Sequence, residues 1–253
     1  MKPQRSTFKR PARAAHMPAS IPRPPKMPSP VKVVNDRLVL QQPAEKVPYW
    51  RRCGWYVVWF AAALAVFVVC ALLVHKQLFI GKDLRLFQFV NHWPDSLSVG
   101  FVALTSLGSF WAAAALVTAA FVLRLHQLAW RLALSVFAAY GLLLALKELF
   151  ARARPEELLA EVNVRVAEAS FAFPSAHSAI ATVLALTVRT YLPIPALWQW
   201  LVVLVWIGGV GLSRVYLGVH TPLDVAAGVA LGVGVVCFWC ILPLGLKKLL
   251  HLR

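Results

Sequence analysis

Three short stretches bring ionisable and nucleophilic side chains to the edges of apolar runs in this sequence. The first is Lys147-Glu-Leu-Phe-Ala-Arg-Ala-Arg154-Pro155, in which Lys147 and Arg154 are seven residues apart. On a helix that spacing is two turns and puts both on one face, and Pro155 ends the helix or sets its exit. Taken alone, a snorkelling lysine beside a basic interfacial loop accounts for it. The second is Phe173-Pro-Ser-Ala-His177-Ser178. A Pro-Ser pair opening a helix leaves backbone N–H groups free at the positive end of the dipole, a ready anion site. In the plainer reading Ser175 is an N-cap and His177 an interfacial residue. The third is Ser213-Arg214-Val-Tyr-Leu-Gly-Val-His220-Thr-Pro-Leu-Asp224. Thr221, Pro222 and Asp224 have the N-cap, N1 and N3 chemistry of a helix start. The same Asp224 carboxylate is also placed to accept a hydrogen bond from one nitrogen of His220, leaving the other as a nucleophile. The two roles are compatible.

These stretches lie at the edges of long apolar runs. Of the 253 residues, 60% are hydrophobic and 14% charged, and the mean hydropathy is +0.68. A soluble domain carries about 25% charged residues, so the composition excludes an ordinary soluble domain and wholesale disorder, and points to a membrane. Residues 55–74 contain no charge and are flanked by Arg51-Arg52 and His75-Lys76. At 1.5 Å per residue, a run of this length matches a hydrocarbon core of roughly 30 Å. Further uncharged runs over 96–123, 132–146, 170–188, 190–213 and 225–246 predict five more spans, the third reaching about Phe150 if Lys147 joins its helix. The expected fold is all-α, a six-transmembrane-helix bundle over residues 51–253.

Residues 1–50 read as a disordered, basic, Pro-rich cytoplasmic tail. Ten of the seventeen prolines fall in 1–48, and residues 1–52 hold 12 of the 26 Lys and Arg against only Asp36 and Glu45. No apolar segment follows the basic start until residue 55, which argues against a secretory signal. A net charge of +16 could point to nucleic acid; here it follows membrane topology, with the tail as a solvated arm near anionic lipid and no nucleic-acid partner. Cys237 and Cys240 lie inside an apolar run with no basic neighbour to activate a thiol, and read as packing residues. Trp59, Trp111, Trp206 and Trp239 fall deep in the spans and also read as packing residues. Gly228 and Gly232 suggest a close helix approach.

Topology joins the three stretches. The loops after the third and fifth spans are separated by two crossings, so all three clusters face the same side whatever the orientation. Lys147, Arg154 and Arg214 then converge with His177, His220, Asp224 and a helix N-terminus, a set suited to holding a phosphate. With the +10 tail inside, both termini are cytoplasmic. In a bacterium the clusters then lie on the periplasmic side of the inner membrane.

Lys-x6-Arg-Pro, Pro-Ser-Ala-His and Ser-Arg-x5-His-x3-Asp resemble the three-part signature of the type 2 phosphatidic acid phosphatase (PAP2) superfamily, with ten fixed positions in order across residues 147–224. One position departs: Ala176 stands where the second motif usually has glycine. The resemblance implies a membrane lipid phosphatase without metal or other cofactor. In it His220 attacks phosphorus to form a phosphohistidine and Asp224 orients it. His177 protonates the leaving oxygen and then activates water. Lys147, Arg154, Ser175, the Ala176 N–H and Arg214 hold the phosphoryl oxygens. The expected substrate is a lipid phosphate or diphosphate, such as an undecaprenyl diphosphate, a phosphatidic acid or phosphatidylglycerol phosphate, or a lipid A phosphate. A lipid-to-lipid phosphotransferase shares the same residues, and a non-catalytic scaffold or transporter is the alternative outside enzymes.

Overall fold

Helix ends, more than helix middles, carry the polar residues of this chain, and the fold gathers several of those ends at one place. A computed structural model describes residues 31–34, 37–40 and 49–249. The chain divides into two compact units, Met1–Pro43 and Ala44–Arg253. In the first, β1 (Val31–Val34) and β2 (Arg37–Leu40) pair antiparallel, with Val31 opposite Leu40 and Val34 opposite Arg37. This hairpin stands inside the segment whose proline content suggests an irregular tail; the rest of that expected tail, up to residue 48, lies outside the described residues.

Every described element of the second unit is helical: α1 (Tyr49–His75), α2 (Ile80–Asn91), α3 (Ser98–Ser106), α4 (Phe110–Val122), α5 (His126–Phe150), α6 (Pro155–Leu158), α7 (Ala176–Arg189), α8 (Ala196–Tyr216) and α9 (Pro222–Leu249), with a 3₁₀ turn at Asp95–Leu97. By length and composition, four helices can cross a membrane: α1, α5, α8 and α9. The pair α3 and α4 makes a fifth if its 47° bend is counted within one span. That bend has local causes. The Ser109 side chain accepts from Ala112 N at 3.1 Å and starts a new helix. At Gly108 a Cβ would stand 2.5 Å from the His177 carbonyl oxygen, so only glycine lets the chain pass α7 there.

The fourth expected span is the exception. It is an irregular approach through Ser175 followed by α7, whose 14 residues are too few for a roughly 30 Å core. Ser178 to Ala185 are all buried, because α7 packs against α5, α8 and α9. A helix buried on every side is an inner helix. Gly228 and Gly232 make this possible: a Cβ on the first would lie 2.3 Å from Ser175 O, and on the second 2.7 Å from Ala179 O. The expected close approach is therefore that of α9 on α7.

Leu132, Val136, Ile180, Leu184 and Val235 form the largest apolar core, on which Trp206 and Trp239 pack. Trp59 and Trp111, expected in the interior, are instead 57% and 79% exposed. Like Phe137, Leu204 and Val99 they are outward apolar surface, which suits lipid because hydrocarbon is as apolar as a protein core. The chain is a multi-pass membrane protein.

Candidate active site

The C-terminal ends of α5 and α8 and the N-terminal ends of α7 and α9 meet, and a connection over residues 151–175 covers them. Lys147, in the last turn of α5, is buried; its Nζ donates to Ser170 Oγ at 3.1 Å and to the Phe171 carbonyl. The helix stops at Phe150, and Ala151 turns left-handed at φ 39°. Arg154 is therefore not two turns along the same face. It reaches inward from an extended residue, and Pro155 opens the single turn of α6 instead of closing α5. Its guanidinium is pinned by Nε to Ser170 O (2.7 Å) and Nη1 to Val219 O (2.8 Å).

Ser175 is the residue before α7 and is fully buried, but its side chain makes no cap bond; its N–H donates to Asp224 O at 3.0 Å, and Ser178 Oγ donates to its hydroxyl. Ala176 is the first residue of α7 and takes helical dihedrals, so a Cβ there is accommodated. Arg214, in the last turn of α8, is 1% exposed and donates from Nη1 to Thr105 Oγ1 at 2.9 Å.

His220 is fully buried, and neither ring nitrogen has a hydrogen-bond partner among the described residues. Its Nδ1 faces Asp224 Oδ2 at 3.8 Å, beyond hydrogen-bond length. Burial lowers the pKa of His220 below the ordinary histidine value, outweighing the pull of the Asp224 carboxylate, so the ring is neutral at pH 7. Asp224 also does what the helix-start reading expected of it. Its Oδ2 accepts from Thr221 N at 2.8 Å and from the Thr221 hydroxyl at 3.2 Å.

Three residues in this place were not singled out from the sequence. Arg152 bridges Asp224 Oδ1 (2.5 Å), Thr221 Oγ1 (3.0 Å) and Asp83 Oδ2 (3.0 Å), all buried. Asp83 sits on α2, an amphipathic helix outside the expected spans, and its other oxygen accepts from Leu223 N at the start of α9. Glu168 lies on the connection. Its carboxylate is gripped by Arg154 Nη2 at 3.0 Å and by Arg214 Nη2, and stands 3.7 Å from His177 Nδ1 and 3.8 Å from His220 Nε2. Burial would raise its pKa, but Arg214, the two histidines and Arg154 hold it down at about 2. The one available signal was scarcity: with ten acids in 253 residues, each acid near an apolar run has a partner to be sought.

The arrangement is an oxyanion seat. Two guanidinium groups grip a carboxylate from one side, an ammonium lies one hydroxyl away at Ser170, and two imidazoles face the same oxygens. Among the described residues no group of three or more His, Cys, Asp or Glu has the arrangement of a metal site.

Residues 128–246 match the PAP2 superfamily. Over 101 residues the chain is 40% identical to the decaprenylphosphoryl-5-phosphoribose phosphatase of Mycobacterium tuberculosis strains CDC 1551 and H37Rv, an alignment of 39% of this chain and 52% of theirs. The chain thus spans about half the length of the curated relatives it matches. The crystal structure of a transmembrane PAP2 type phosphatidylglycerolphosphate phosphatase from Bacillus subtilis superposes with a TM-score of 0.61, covering 77% of this chain and 98% of that one at 26% identity. Aquifex aeolicus LpxE superposes with a TM-score of 0.54, covering 63% and 94% at 28% identity.

Proposed function

We propose that this chain, which carries a PAP2 superfamily domain over residues 128–246, is a membrane phosphatase that hydrolyses a lipid phosphate or diphosphate through a phosphohistidine. The observation that carries the reading is the Glu168 carboxylate itself. It stands in for two oxygens of a phosphoryl group, held by Arg154 and Arg214 within reach of both histidines. With phosphorus in that place, His220 Nε2 faces it while Nδ1 faces Asp224, the orientation a nucleophile needs. His220 Nε2 forms the N–P bond as the P–O bond to the lipid breaks. His177, whose Nδ1 stands by the other carboxylate oxygen, gives the leaving oxygen its proton and then takes one from the water that cleaves the N–P bond. Lys147, Arg154, Arg214, the Ser175 hydroxyl and the Ala176 N–H balance the charge that builds on the equatorial oxygens. Those cations belong to the chain, and the reaction runs without a metal ion.

The substrate reading rests on where the seat lies. It is at the ends of apolar helices, so a ligand whose phosphate reaches it can keep its acyl or prenyl chain in the bilayer. The named substrates of the relatives, a decaprenyl-linked phosphosugar and phosphatidylglycerolphosphate, are of that kind. We take α7 as a sixth, short crossing sheathed by its neighbours, with both termini cytoplasmic and the seat on the periplasmic side of a bacterial inner membrane.

Phosphate release from a panel of lipid phosphates by the purified chain in detergent, with and without a lipid acceptor and with EDTA, tests the reading. Release of free phosphate from a monoester or diphosphate lipid, insensitive to EDTA and abolished in His220→Ala, is expected. Phosphate appearing on the acceptor lipid would make the chain a phosphotransferase, and release from none of the lipids would overturn the reading.

A further inference from the structure

Glu168 occupies the place the reaction needs empty. Its two oxygens take hydrogen bonds from Arg154 and Arg214, and the same Nη2 atoms must hold a phosphoryl group. A carboxylate and a phosphoryl group cannot share them. Resting on the phosphatase reading, we propose that Glu168 is an internal competitor for the phosphoryl seat and sets its specificity, admitting phosphomonoesters and excluding phosphodiesters.

The connection around Glu168 is built to release it. Upstream, Arg165 is anchored by its N–H on Leu217 O and by its guanidinium on Asn91 O, Trp93 O and Tyr216 O. Downstream, Ser170 O and Phe171 O are anchored by Arg154 and Lys147, and Ala172 N donates to Arg152 O. Between these anchors, residues 166–169 have no helical or strand structure and none of the described backbone hydrogen bonds. The Glu168 side chain is 22% exposed, against 1% for Arg214 and 4% for Arg154, so it already borders the open side of the seat. It can swing out while both arginines stay where their carbonyl and hydroxyl partners hold them.

Discrimination follows from charge and oxygen count. A tethered carboxylate acts at a millimolar effective concentration. A phosphodiester brings one negative charge and two free oxygens, the same as the carboxylate it must displace, and has no electrostatic advantage. A phosphomonoester carries a charge of about −1.5 to −2 at pH 7 and three acceptor oxygens. Its third oxygen and extra charge find Lys147 and the backbone N–H groups at the start of α7, to which no described hydrogen bond from Glu168 runs. The terminal phosphoryl group of a diphosphate has the same advantage. In a membrane this matters because diester headgroups surround the site in great excess, and an unguarded pair of arginines would hold them.

The test uses the full chain in detergent, titrated calorimetrically with inorganic phosphate and separately with dimethyl phosphate, for wild type, E168Q and E168A. Wild type is expected to bind phosphate and not dimethyl phosphate. The variants should bind phosphate roughly tenfold tighter, the gain from freeing a seat nine-tenths occupied, and should acquire dimethyl phosphate binding. Phosphate bound no tighter by E168Q, or dimethyl phosphate bound equally by wild type and E168Q, overturns the proposal. Hydrogen exchange on the unmodified protein tests it again without a variant: amides 166–169 should exchange faster when inorganic phosphate saturates the seat, and slower or unchanged exchange overturns it. These readouts need no turnover. A chain that shows them but releases phosphate from no lipid would refute the phosphatase reading alone, and an active phosphatase without them would refute the competitor alone.

Discussion

The site has two banks that are held in different ways. One is made of helix ends: Lys147 closes α5, Ser175 and His177 open α7, Arg214 closes α8 and Asp224 opens α9. The other is the connection that supplies Arg152, Arg154, Glu168 and Ser170, held by side chains donating to carbonyl groups. The helical bank owes its positions to core packing, including glycines that let α9 and the α3–α4 break close on α7 to within a Cβ's width. The connection owes its positions to charges. Core packing keeps the helix ends aligned; on the connection Arg154 is kept in place by its carbonyl partners, while the backbone at Glu168 has no such anchor.

The largest effects are expected on the helical bank and in the residue between α8 and α9. His220→Ala should lower phosphate release by roughly 10⁴-fold or more, since it removes the nitrogen whose ring partner faces Asp224, and His177→Ala by about 10²- to 10⁴-fold. Thermal unfolding of both variants should stay near wild type. Normal phosphate release by His220→Ala would break the comparison at its root. Because burial keeps His220 neutral, kcat/KM of the wild type should hold on acidification to below the ordinary histidine value of 6.5 before it falls.

Arg152 shows the connection acting on the helical bank. Its guanidinium sits between Asp83 and Asp224, with all three side chains at most 8% exposed. Arg152→Gln leaves two buried carboxylates without their cation, a loss of about 3–5 kcal/mol of stability for a broken buried pair. It also frees Asp224 from the bond that presents Oδ2 to His220. Melting temperature and kcat should both fall, with KM changed less, and Arg152→Lys should restore part of each. A variant that melts early but keeps the wild-type kcat and pH profile would reduce Arg152 to a structural strut.

A smaller effect separates the banks by pH. Glu168 has a folded-state pKa of about 2, against 4.5 for an ordinary glutamate. A depressed carboxyl pKa contributes stability that is complete above the higher value and lost as pH falls toward the lower one. Between pH 4.5 and 2 the wild type should therefore lose stability that E168Q, having no such group, does not lose. Parallel melting temperatures across that window would show that the arginines gain nothing from Glu168.

The helical bank was legible in the sequence and much of the connection was not. Helix ends announce themselves through apolar runs that stop at Lys147 and Arg214 and through Pro-Ser and Thr-Pro starts, and a topology of alternating spans brings such ends together. Arg154 was identified but placed on the wrong support, because a two-turn spacing implies one face only while the helix lasts, and Ala151 ends it. Glu168 and Asp83 had no periodicity to betray them: each reaches the site through a loop or a short amphipathic helix whose path is set by tertiary contacts such as Asn91 with Asn163. That α7 is shorter than its uncharged run has a related reason. An uncharged run records what is compatible with lipid, and a helix sheathed by its neighbours does not need to match the bilayer.

The smallest expected effect lies where the sequence departs from the signature it resembles. In Ala176→Gly the residue would match the usual second motif. If a glycine were needed there for a left-handed dihedral, the natural alanine would be strained, and the change would raise both stability and activity. The structure argues otherwise. Ala176 is the first residue of α7 with helical dihedrals, half-buried, and its N–H is among those left free at a helix start. Glycine gains nothing in geometry and adds chain entropy to the unfolded state, a cost of roughly 0.5–1 kcal/mol in a helix interior and less at its first residue. The expected outcome is a melting temperature equal to or slightly below wild type and a kcat/KM within about threefold. A gain of tenfold or more in kcat/KM would mean that the Ala176 methyl group crowds the phosphoryl seat, and that this helix end is a less settled support than its packing implies.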